Sequence, residues 1–323
     1  MAECKSYRKG IDVMKMASMF ATEEKAREWF EEWLWNGERC CVRCGSENTH
    51  RASHKTMPYR CRDCRKYFSV RTGTAMERSK VPLRKWGWAI YLELTNLKGV
   101  SSVKLARDLG VTQTTAWFMQ HRIREAFAGV AVTLDGPVEV DEAYFGGLRK
   151  NMSNERRKEL DGTGRGPVGK QAVVAAKDRE TKQVVARVVD RTDGETLQGF
   201  VDDHAAPDAK LYTDDTSAYR GTDRERETVK HSSQEYVRYL EGETVHTNGV
   251  ESFWSMLKRA HKGVYHKLSP KHLQRYVNQF AGRHNIRELD TLAQMQHVVM
   301  GMVGRRLMYR DLIADNGRSA LAG

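Results

Sequence analysis

Two pairs of cysteines near the start of the chain restrict its fold more than any other feature of the sequence. Each pair has the spacing Cys-x2-Cys, at Cys41 and Cys44 and at Cys61 and Cys64, with sixteen residues between the pairs. Four thiolates presented from two tight turns suit the tetrahedral coordination of Zn²⁺, so this spacing predicts a structural zinc ribbon. A redox Cys-x-x-Cys needs only one pair and a thioredoxin-like βαβ context, which the sequence lacks.

Other potential ligands lie close to these four cysteines. Cys40 could replace Cys41, although the two-residue spacing favours Cys41, and His50 and His54 could also bind a metal. Because four thiolates complete the coordination of zinc, we interpret both histidines as surface residues. Cys4 has no partner that the sequence identifies.

The chain is strongly basic. Its formal net charge is +12 over 323 residues and its pI is about 9.4, which indicates a polyanionic partner such as double-stranded DNA. Eight basic residues lie in or beside the predicted ribbon, at Arg43, Arg51, Lys55, Arg60, Arg62, Arg65, Lys66 and Arg71. No apolar run approaches the ~20 residues of a membrane span and no signal peptide opens the chain, so we expect a cytoplasmic, nucleoid-associated protein.

A segment with the pattern of a helix-turn-helix follows the ribbon. Residues 104–116 read KLARDLGVTQTTA, in which small Ala106 permits close helix approach, Gly110 suits the turn and Thr112 suits a helix N-cap. The second helix would present four side chains to a DNA major groove, namely Gln113, Thr114, Gln120 and Arg124. The alternative is an ordinary helical hairpin within a core, but the adjacent basic ribbon favours DNA binding.

An acidic strand opens the second half of the chain. Residues 137–147 read PVEVDEAYFGG, where Val138 and Val140 alternate with Glu139 and Asp141 in the period-two pattern of a half-buried strand. Acids are poor strand formers, so two of them within one strand indicate a bound cation. The alternative is an edge strand with a solvated acidic face.

A glycine-rich basic loop is predicted next, over residues 148–170. We expect this loop to become ordered on nucleic acid. Its candidate DNA-binding residues are Arg149, Lys150, Arg156 and Arg157.

The order of the following elements predicts an α/β catalytic domain. Strands are expected at 172–176 and 184–189, then a helix capped near Asp193, then a short strand that ends in Asp214 and Asp215. Three strands, a helix and a fourth strand is the order of a ribonuclease-H-like core, in which the first and fourth strands are neighbours. Asp141 and Asp214 would then face each other and could share metal ions.

A third acid is expected on a later helix. Residues 246–258 read HTNGVESFWSMLK, and Glu251 and Lys258 are seven residues apart, hence on one side of a helix and about 10 Å apart along it. Glu251 would complete a magnesium site and Lys258 would contact a phosphate held there. The alternative is a capping box in which Asn248 caps the helix and Glu251 reaches back, which would make Glu251 structural.

These motifs resemble the catalytic motifs of bacterial insertion-sequence DDE transposases of the subgroup with an N-terminal zinc ribbon. The likeness lies in Val140-Asp141-Glu142, in Thr213-Asp214 with Tyr219 five residues later, and in residues 247–254, and it extends from the helix at Thr22 to about Asn285. Later parts of it are Tyr265-His266, residues 271–276 and Arg283-His284-Asn285.

The resemblance implies an enzyme that cleaves the ends of its element and transfers the freed 3′-OH to target DNA. Asp141, Asp214 and Glu251 would hold two Mg²⁺ or Mn²⁺ ions that activate water, while Lys258 and His246 would contact phosphates. The implied partners are double-stranded DNA, as terminal inverted repeats and target, and a second copy of the chain in a homodimer or larger synaptic complex. Some relatives have asparagine as the third catalytic residue, so Asn248 also remains a candidate.

Five segments are therefore expected along the chain. They are an N-terminal helical segment (1–38), the zinc ribbon (39–75), the helix-turn-helix region (79–130), the ribonuclease-H-like domain (135–290) and a C-terminal helical tail (291–323). We interpret the methionines of the tail as core residues or a dimer seam. Two other functions fit the same motifs, a structure-specific nuclease of the same fold and a catalytically dead DNA-binding regulator.

Overall fold

The computed structural model describes residues 10–147, 149–158, 160, 168–229, 237–240 and 243–314. These residues divide into two compact units. The ribbon unit contains the residues up to Ala128 and those from Ile286 onwards, and the sheet unit is Gly129–Asn285. No helix among the described residues is both long enough and apolar enough to cross a membrane.

The ribbon unit combines a small antiparallel sheet with seven described α-helices. Its strands are β1 (Thr49–Arg51), β2 (Tyr59–Cys61) and β3 (Tyr67–Phe68), in the order β1-β2-β3. Its helices are α1 (Val13–Met19), α2 (Glu23–Trp35), α3 (Leu83–Thr95), α4 (Ser102–Leu109), α5 (Gln113–Arg124), α10 (Thr291–Gly301) and α11 (Tyr309–Ile313). Thr22 caps α2 by accepting a hydrogen bond from the amide of Lys25, as its position before Glu23 and Glu24 predicts.

The C-terminal residues belong to the core of the ribbon unit and do not form a separate tail. Met295 and Met302 are fully buried in one cluster with Trp86 and Ile90 of α3. The main chain adds hydrogen bonds, from the amide of Ala75 to the carbonyl of Met302 (2.9 Å) and from the amide of Gly304 to the carbonyl of Gly73 (2.8 Å). Met295 and Met302 are therefore core residues, and the chain returns to the ribbon unit at Ile286.

The helix-turn-helix forms as the sequence predicts. Gly110 follows α4 in the left-handed conformation (φ 58°), which glycine adopts at low cost. Thr112 then caps α5 by accepting a hydrogen bond from the amide of Thr115 (3.2 Å).

The sheet unit is a mixed α/β fold. Its described strands are β4 (Val138–Phe145), β5 (Gln171–Asp178), β6 (Val184–Val189), β7 (Leu211–Asp214), β8 (Arg226–Val229), β9 (Arg238–Leu240) and β10 (Glu243–Val245). Its described helices are α6 (Asn154–Lys158), α7 (Gly194–His204), α8 (Asn248–Ala260) and α9 (Pro270–Asn285).

The central sheet has the strand order β6-β5-β4-β7-β8. β4 and β5 pair antiparallel, as do β5 and β6, whereas β4 pairs parallel with β7. The first and fourth strands are thus neighbours, which confirms the predicted ribonuclease-H-like order. On one face Val138 and Val140 pack against α7, and on the other Ala143 and Phe145 pack against α8 and α9.

Two side chains of α9 cover the edge of this sheet at β6. The amide of Val188 donates to Gln274 Oε1 and the amide of Val184 donates to Asn285 Oδ1, each at 2.7 Å. Each α9 side chain also donates back to a β6 carbonyl. An exposed edge strand can pair with other chains. The side-chain amides of Gln274 and Asn285 prevent such pairing, because they occupy backbone hydrogen-bonding groups at the edge of β6. Both residues lie in the motifs that carry the family resemblance.

The predicted basic loop lies between β4 and β5 and contains a short helix, α6. Arg149 donates to the carbonyl of Arg157, and Arg157 donates to the carbonyl of Met152. These two side chains therefore hydrogen-bond within the loop. The side chains of Lys150 and Arg156, like residues 161–167, lie outside the described part of the chain.

Candidate active site and metal centres

Asp141 and Asp214 are brought together by parallel strand pairing. In β4 and β7, Val138 lies beside Leu211 and Glu139 beside Tyr212, and two more residues along this register Asp141 is level with Asp214. Asp141 also shares its strand face with Ala143, which packs towards α8. Thr216 fixes the Asp214 carboxylate with its amide (3.1 Å) and its hydroxyl (2.6 Å).

The third acid, Glu251, lies in the first turn of α8, where the hydroxyl of Thr247 donates to Glu251 Oε1 (3.2 Å). The helix begins at Asn248, so Thr247 is the N-cap residue and Asn248 the first helical residue. No side-chain cap bond is made by Thr247. The expected cap by Asn248 is therefore wrong by one position, because the helix starts earlier than the sequence suggests.

Asp141 interacts electrostatically with Asp214, Glu251 and Lys258. Burial, together with the negative charges of Asp214 and Glu251, raises the pKa of Asp141 to about 6. The amide of Glu142 and the charge of Lys258 act in the opposite direction. Two acids and one lysine, from β7 and α8, thus act on one carboxylate. Clustered carboxylates of this kind suit hard, oxygen-binding cations such as Mg²⁺ and Mn²⁺.

A second carboxyl group of β4 lies next to this cluster. Burial raises the pKa of Glu142 to about 7, and the Tyr219 hydroxyl donates a hydrogen bond to Glu142. Tyr219 is fully buried, and its own pKa lies well above 10 because of burial and the Glu142 charge. In the sequence, Tyr219 is notable only because it lies five residues after Asp214. Nothing in the sequence indicates that its hydroxyl reaches Glu142.

Glu139, the other acid of the Val138–Asp141 pattern, has different surroundings from Asp141. It is only 2% exposed and accepts a hydrogen bond from Arg179 Nε (2.9 Å). His246 Nδ1 lies 3.2 Å from the same Glu139 oxygen, and burial and the Arg179 charge lower the pKa of His246. Contact of His246 with a phosphate stays a prediction.

The four predicted recognition residues of α5 separate into two pairs. Gln113 and Thr114 are exposed at the start of the helix. Gln120 is 2% exposed and donates to Glu93 Oε1 (2.6 Å) and to the carbonyl of Val100 (2.7 Å), and Arg124 is fully buried. The prediction of groove contact is therefore wrong for Gln120 and Arg124, because their side of α5 packs into the core.

The four cysteines converge as a zinc ribbon requires. Their sulfur atoms all lie within 4.8 Å of one another, with Cys41 and Cys64 3.6 Å apart and Cys44 and Cys61 3.7 Å apart. Tetrahedral coordination with Zn–S bonds of about 2.3 Å places sulfurs about 3.8 Å apart, so the cluster fits zinc. Cys40 is not a member of this cluster, which settles the choice between Cys40 and Cys41.

Neither ribbon histidine joins the cysteine cluster. His54 Nδ1 accepts hydrogen bonds from the amides of Thr56 and Met57, and its ring lies against Tyr67. Among the described residues, the four cysteines form the only group of three or more metal-binding side chains within such short range. The carboxylates of the sheet unit are thus more widely spaced than the thiols of the ribbon.

Comparison with known proteins identifies the family. Residues 133–285, which nearly coincide with the sheet unit, match the family model of the ISXO2-like transposase domain. Over 282 residues the chain is 30% identical to a Halobacterium salinarum protein described as an uncharacterized protein in transposable element ISH50. That alignment covers 83% of this chain and 92% of the relative. The identity over most of both chains, with a matched transposase domain, shows that the chain belongs to the insertion-sequence transposases.

Proposed function

We propose that this transposase cleaves DNA at the ends of its insertion element and transfers the freed strand to target DNA. The supporting observation is that strand pairing makes Asp141 level with Asp214, while the charges of Asp214, Glu251 and Lys258 all act on Asp141. Such a concentration of negative charge favours cation binding in a protein whose net charge otherwise favours DNA. DNA as partner would also place the protein in the cytoplasm.

The three acids would hold two divalent cations, Mg²⁺ or Mn²⁺. When bound, such ions stabilise charge on a phosphodiester and lower the pKa of the attacking water. The carboxylates provide the oxygen ligands, and Thr216 and Thr247 orient Asp214 and Glu251 through their hydroxyl groups. Lys258 is exposed seven residues after Glu251, where it would bind a phosphate next to the scissile bond.

Two in-line displacements describe the reaction. In the first, water attacks the scissile phosphorus and the 3′ oxygen leaves, which frees a 3′-OH. In the second, that 3′-OH attacks a phosphodiester of the target and another 3′ oxygen leaves. Each displacement breaks one P–O bond and forms one, so no covalent bond to the protein is needed.

End recognition is assigned to the ribbon unit. Gln113 and Thr114 lie exposed at the start of α5, the part of a recognition helix that contacts base edges. Arg149 and Arg157 of the β4–β5 loop remain proposed phosphate contacts. A synaptic complex of two or more copies would hold both ends of the element.

The test uses a labelled duplex that carries one element end, a supercoiled target plasmid and Mg²⁺ or Mn²⁺. The wild-type protein should release a 3′-OH at the end and join it to the plasmid. Asp141→Asn and Asp214→Asn should bind the duplex but fail in both steps, whereas Asp215→Asn, at an exposed neighbour, should remain active. Cleavage without joining would indicate a nuclease, and neither step in the wild type would indicate a DNA-binding regulator.

A further inference from the structure

The buried carboxylate of Glu139 takes no part in the chemistry proposed above. It lies two residues before Asp141 on the same face of β4, where the strand faces α8. Its two oxygens have different partners. Oε1 accepts from Arg179 Nε (2.9 Å), and Oε2 accepts from the backbone amide of Val250 (2.9 Å).

The hydrogen bond to Val250 replaces a missing helix cap. The first amides of a helix have no partner within the helix, and normally a side chain of the N-cap residue accepts from one of them. Thr247 makes no such bond, and Val250 is the third residue of α8. The carboxylate of Glu139 therefore caps α8 from a neighbouring strand, and its charge lies at the positive end of the helix dipole.

Gly249 shows how closely the two segments approach. A β-carbon at Gly249 would lie 2.6 Å from Glu139 Oε2 and 3.1 Å from its carboxyl carbon. Such a contact is too short for any side chain. The glycine between Asn248 and Val250 is thus required by Glu139 and not by the helix itself.

Two basic side chains, Lys177 and Arg179, hold residues 244–249 against β4 and β5. Arg179 donates to the carbonyls of Thr244 (2.8 Å) and His246, and its guanidinium lies 3.5 Å from the ring centre of Tyr212. Lys177, which pairs with Glu139 across the sheet, donates to the carbonyl of Gly249 (3.0 Å). The main chain before Glu251 is therefore fixed by one side chain of β5 and one of the residue that follows β5.

We propose that Glu139 is a positioning residue, which sets the place of Glu251 relative to Asp141 by capping α8, with Gly249 as its steric counterpart. Asp141 lies two residues after Glu139 and Glu251 directly follows Val250, so one hydrogen bond links both metal-binding acids. This inference rests on the proposed role of Glu251 in binding the metal.

The experiment measures Mn²⁺ binding, from the electron paramagnetic resonance signal of free Mn²⁺, on the full-length protein with zinc in the ribbon. Glu139→Gln leaves either Arg179 or the Val250 amide unpaired, and Gly249→Ala forces the helix away. Each change should weaken Mn²⁺ binding about 10- to 100-fold, as loss of a group that orients a metal ligand does. Glu251→Gln serves as the reference for loss of the ligand itself.

Matched controls make the same chemical changes elsewhere in the sheet unit. Glu180→Gln alters an exposed acid, and Gly199→Ala adds a methyl group in helix α7 where nothing lies within 4 Å. Both should bind Mn²⁺ like the wild type. Thermal unfolding of every variant shows whether the unit is folded, and hydrogen exchange of peptides from residues 244–254 reports on the start of α8.

A compensating pair distinguishes positioning from a general loss of packing. Aspartate is shorter than glutamate by one methylene, so Glu139→Asp makes room for the methyl group of Gly249→Ala. The double variant should bind Mn²⁺ more tightly than Gly249→Ala alone and should exchange more slowly over residues 244–254. This rescue remains measurable even where Glu139→Gln fails to fold.

The outcomes separate this inference from the proposed function. Weaker Mn²⁺ binding and faster exchange in Gly249→Ala, with rescue by Glu139→Asp, would support the positioning role. Wild-type Mn²⁺ binding in folded Glu139→Gln and Gly249→Ala, beside a loss in Glu251→Gln, would overturn the inference alone. Equal Mn²⁺ binding by the wild type and Glu251→Gln would refute the metal site and the inference with it.

Discussion

Replacing Asp141 by asparagine should stabilise the metal-free sheet unit while it abolishes cleavage. The folded protein holds this carboxyl in a buried place beside Asp214 and Glu251, which raises its pKa from 3.8 to about 6. A carboxylate with a raised pKa opposes folding when it is ionised. Asparagine has nearly the same shape and no charge, so it should remove that cost.

The size of the effect follows from the pKa difference. About two pKa units at roughly 1.4 kcal/mol each give about 3 kcal/mol as an upper limit. The buried amide keeps part of the polar desolvation cost, so we expect a gain of about 1–3 kcal/mol in the free energy of unfolding. In a domain of this size that gain corresponds to a rise in Tm of roughly 2–10 °C.

The pH dependence tests the cause. Between about pH 4 and pH 6 the folded wild type binds more protons than the unfolded chain, so its stability falls as the pH rises. The advantage of Asp141→Asn should therefore be complete above about pH 6 and absent below about pH 4. Urea unfolding at pH 8 and pH 4, in buffer free of Mg²⁺ and Mn²⁺ and without a chelator that would remove the zinc, measures both values.

The control and the metal dependence complete this test. Asp215→Asn changes an exposed acid next to Asp214 and should stay within about 0.5 kcal/mol of the wild type. Mg²⁺ at about 100 times its Kd should stabilise the wild type by about 2.7 kcal/mol and Asp141→Asn by much less. A destabilised Asp141→Asn, or an equal difference at both pH values, would refute the reasoning.

Three further predictions concern other residues. Cys41→Ser should release zinc, which a chromogenic chelator measures. It should also loosen the whole ribbon unit, including α10, because Cys41 belongs to the continuous core of that unit. Unchanged hydrogen exchange in α10 would contradict this prediction. Thr114→Ala should reduce the affinity for the element end, relative to random DNA, by about 1–3 kcal/mol in gel-shift titrations. Gln120→Ala should instead lower Tm and leave this relative affinity unchanged, because its amide is buried. The opposite pattern would reassign the DNA-binding face. Glu251→Gln should be inactive in nicking with near-normal stability, and Asn248→Ala, at an exposed first helical position, should be active; inactivity of Asn248→Ala alone would transfer the third catalytic role to Asn248.

Local patterns account for what the sequence predicted correctly. The cysteine spacing, the Gly110 turn and the Thr112 cap depend on residues near one another in the chain, so each could be recognised directly. The pairing of β4 with β7 followed from element order, because few topologies fit three strands, a helix and a fourth strand.

Two incorrect interpretations depend on partners that are distant in the chain. Gln120 is polar and lies on a basic helix, but Glu93 of α3 gives its amide a buried partner. Glu139 alternates with valines like a solvent-facing residue, but α8 and Arg179 cover it. A period-two pattern separates the two faces of a strand and cannot say that both faces will be buried.

The path of the chain through the two units has a consequence for synthesis on the ribosome. The chain leaves the ribbon unit at Ala128, completes the sheet unit by Asn285 and returns at Ile286. The sheet unit can therefore fold while translation continues, but the ribbon unit must wait for Met295 and Met302 to emerge. A premature stop codon shortly after residue 285 would yield a complete catalytic unit without a finished core in the unit that is assigned to DNA recognition.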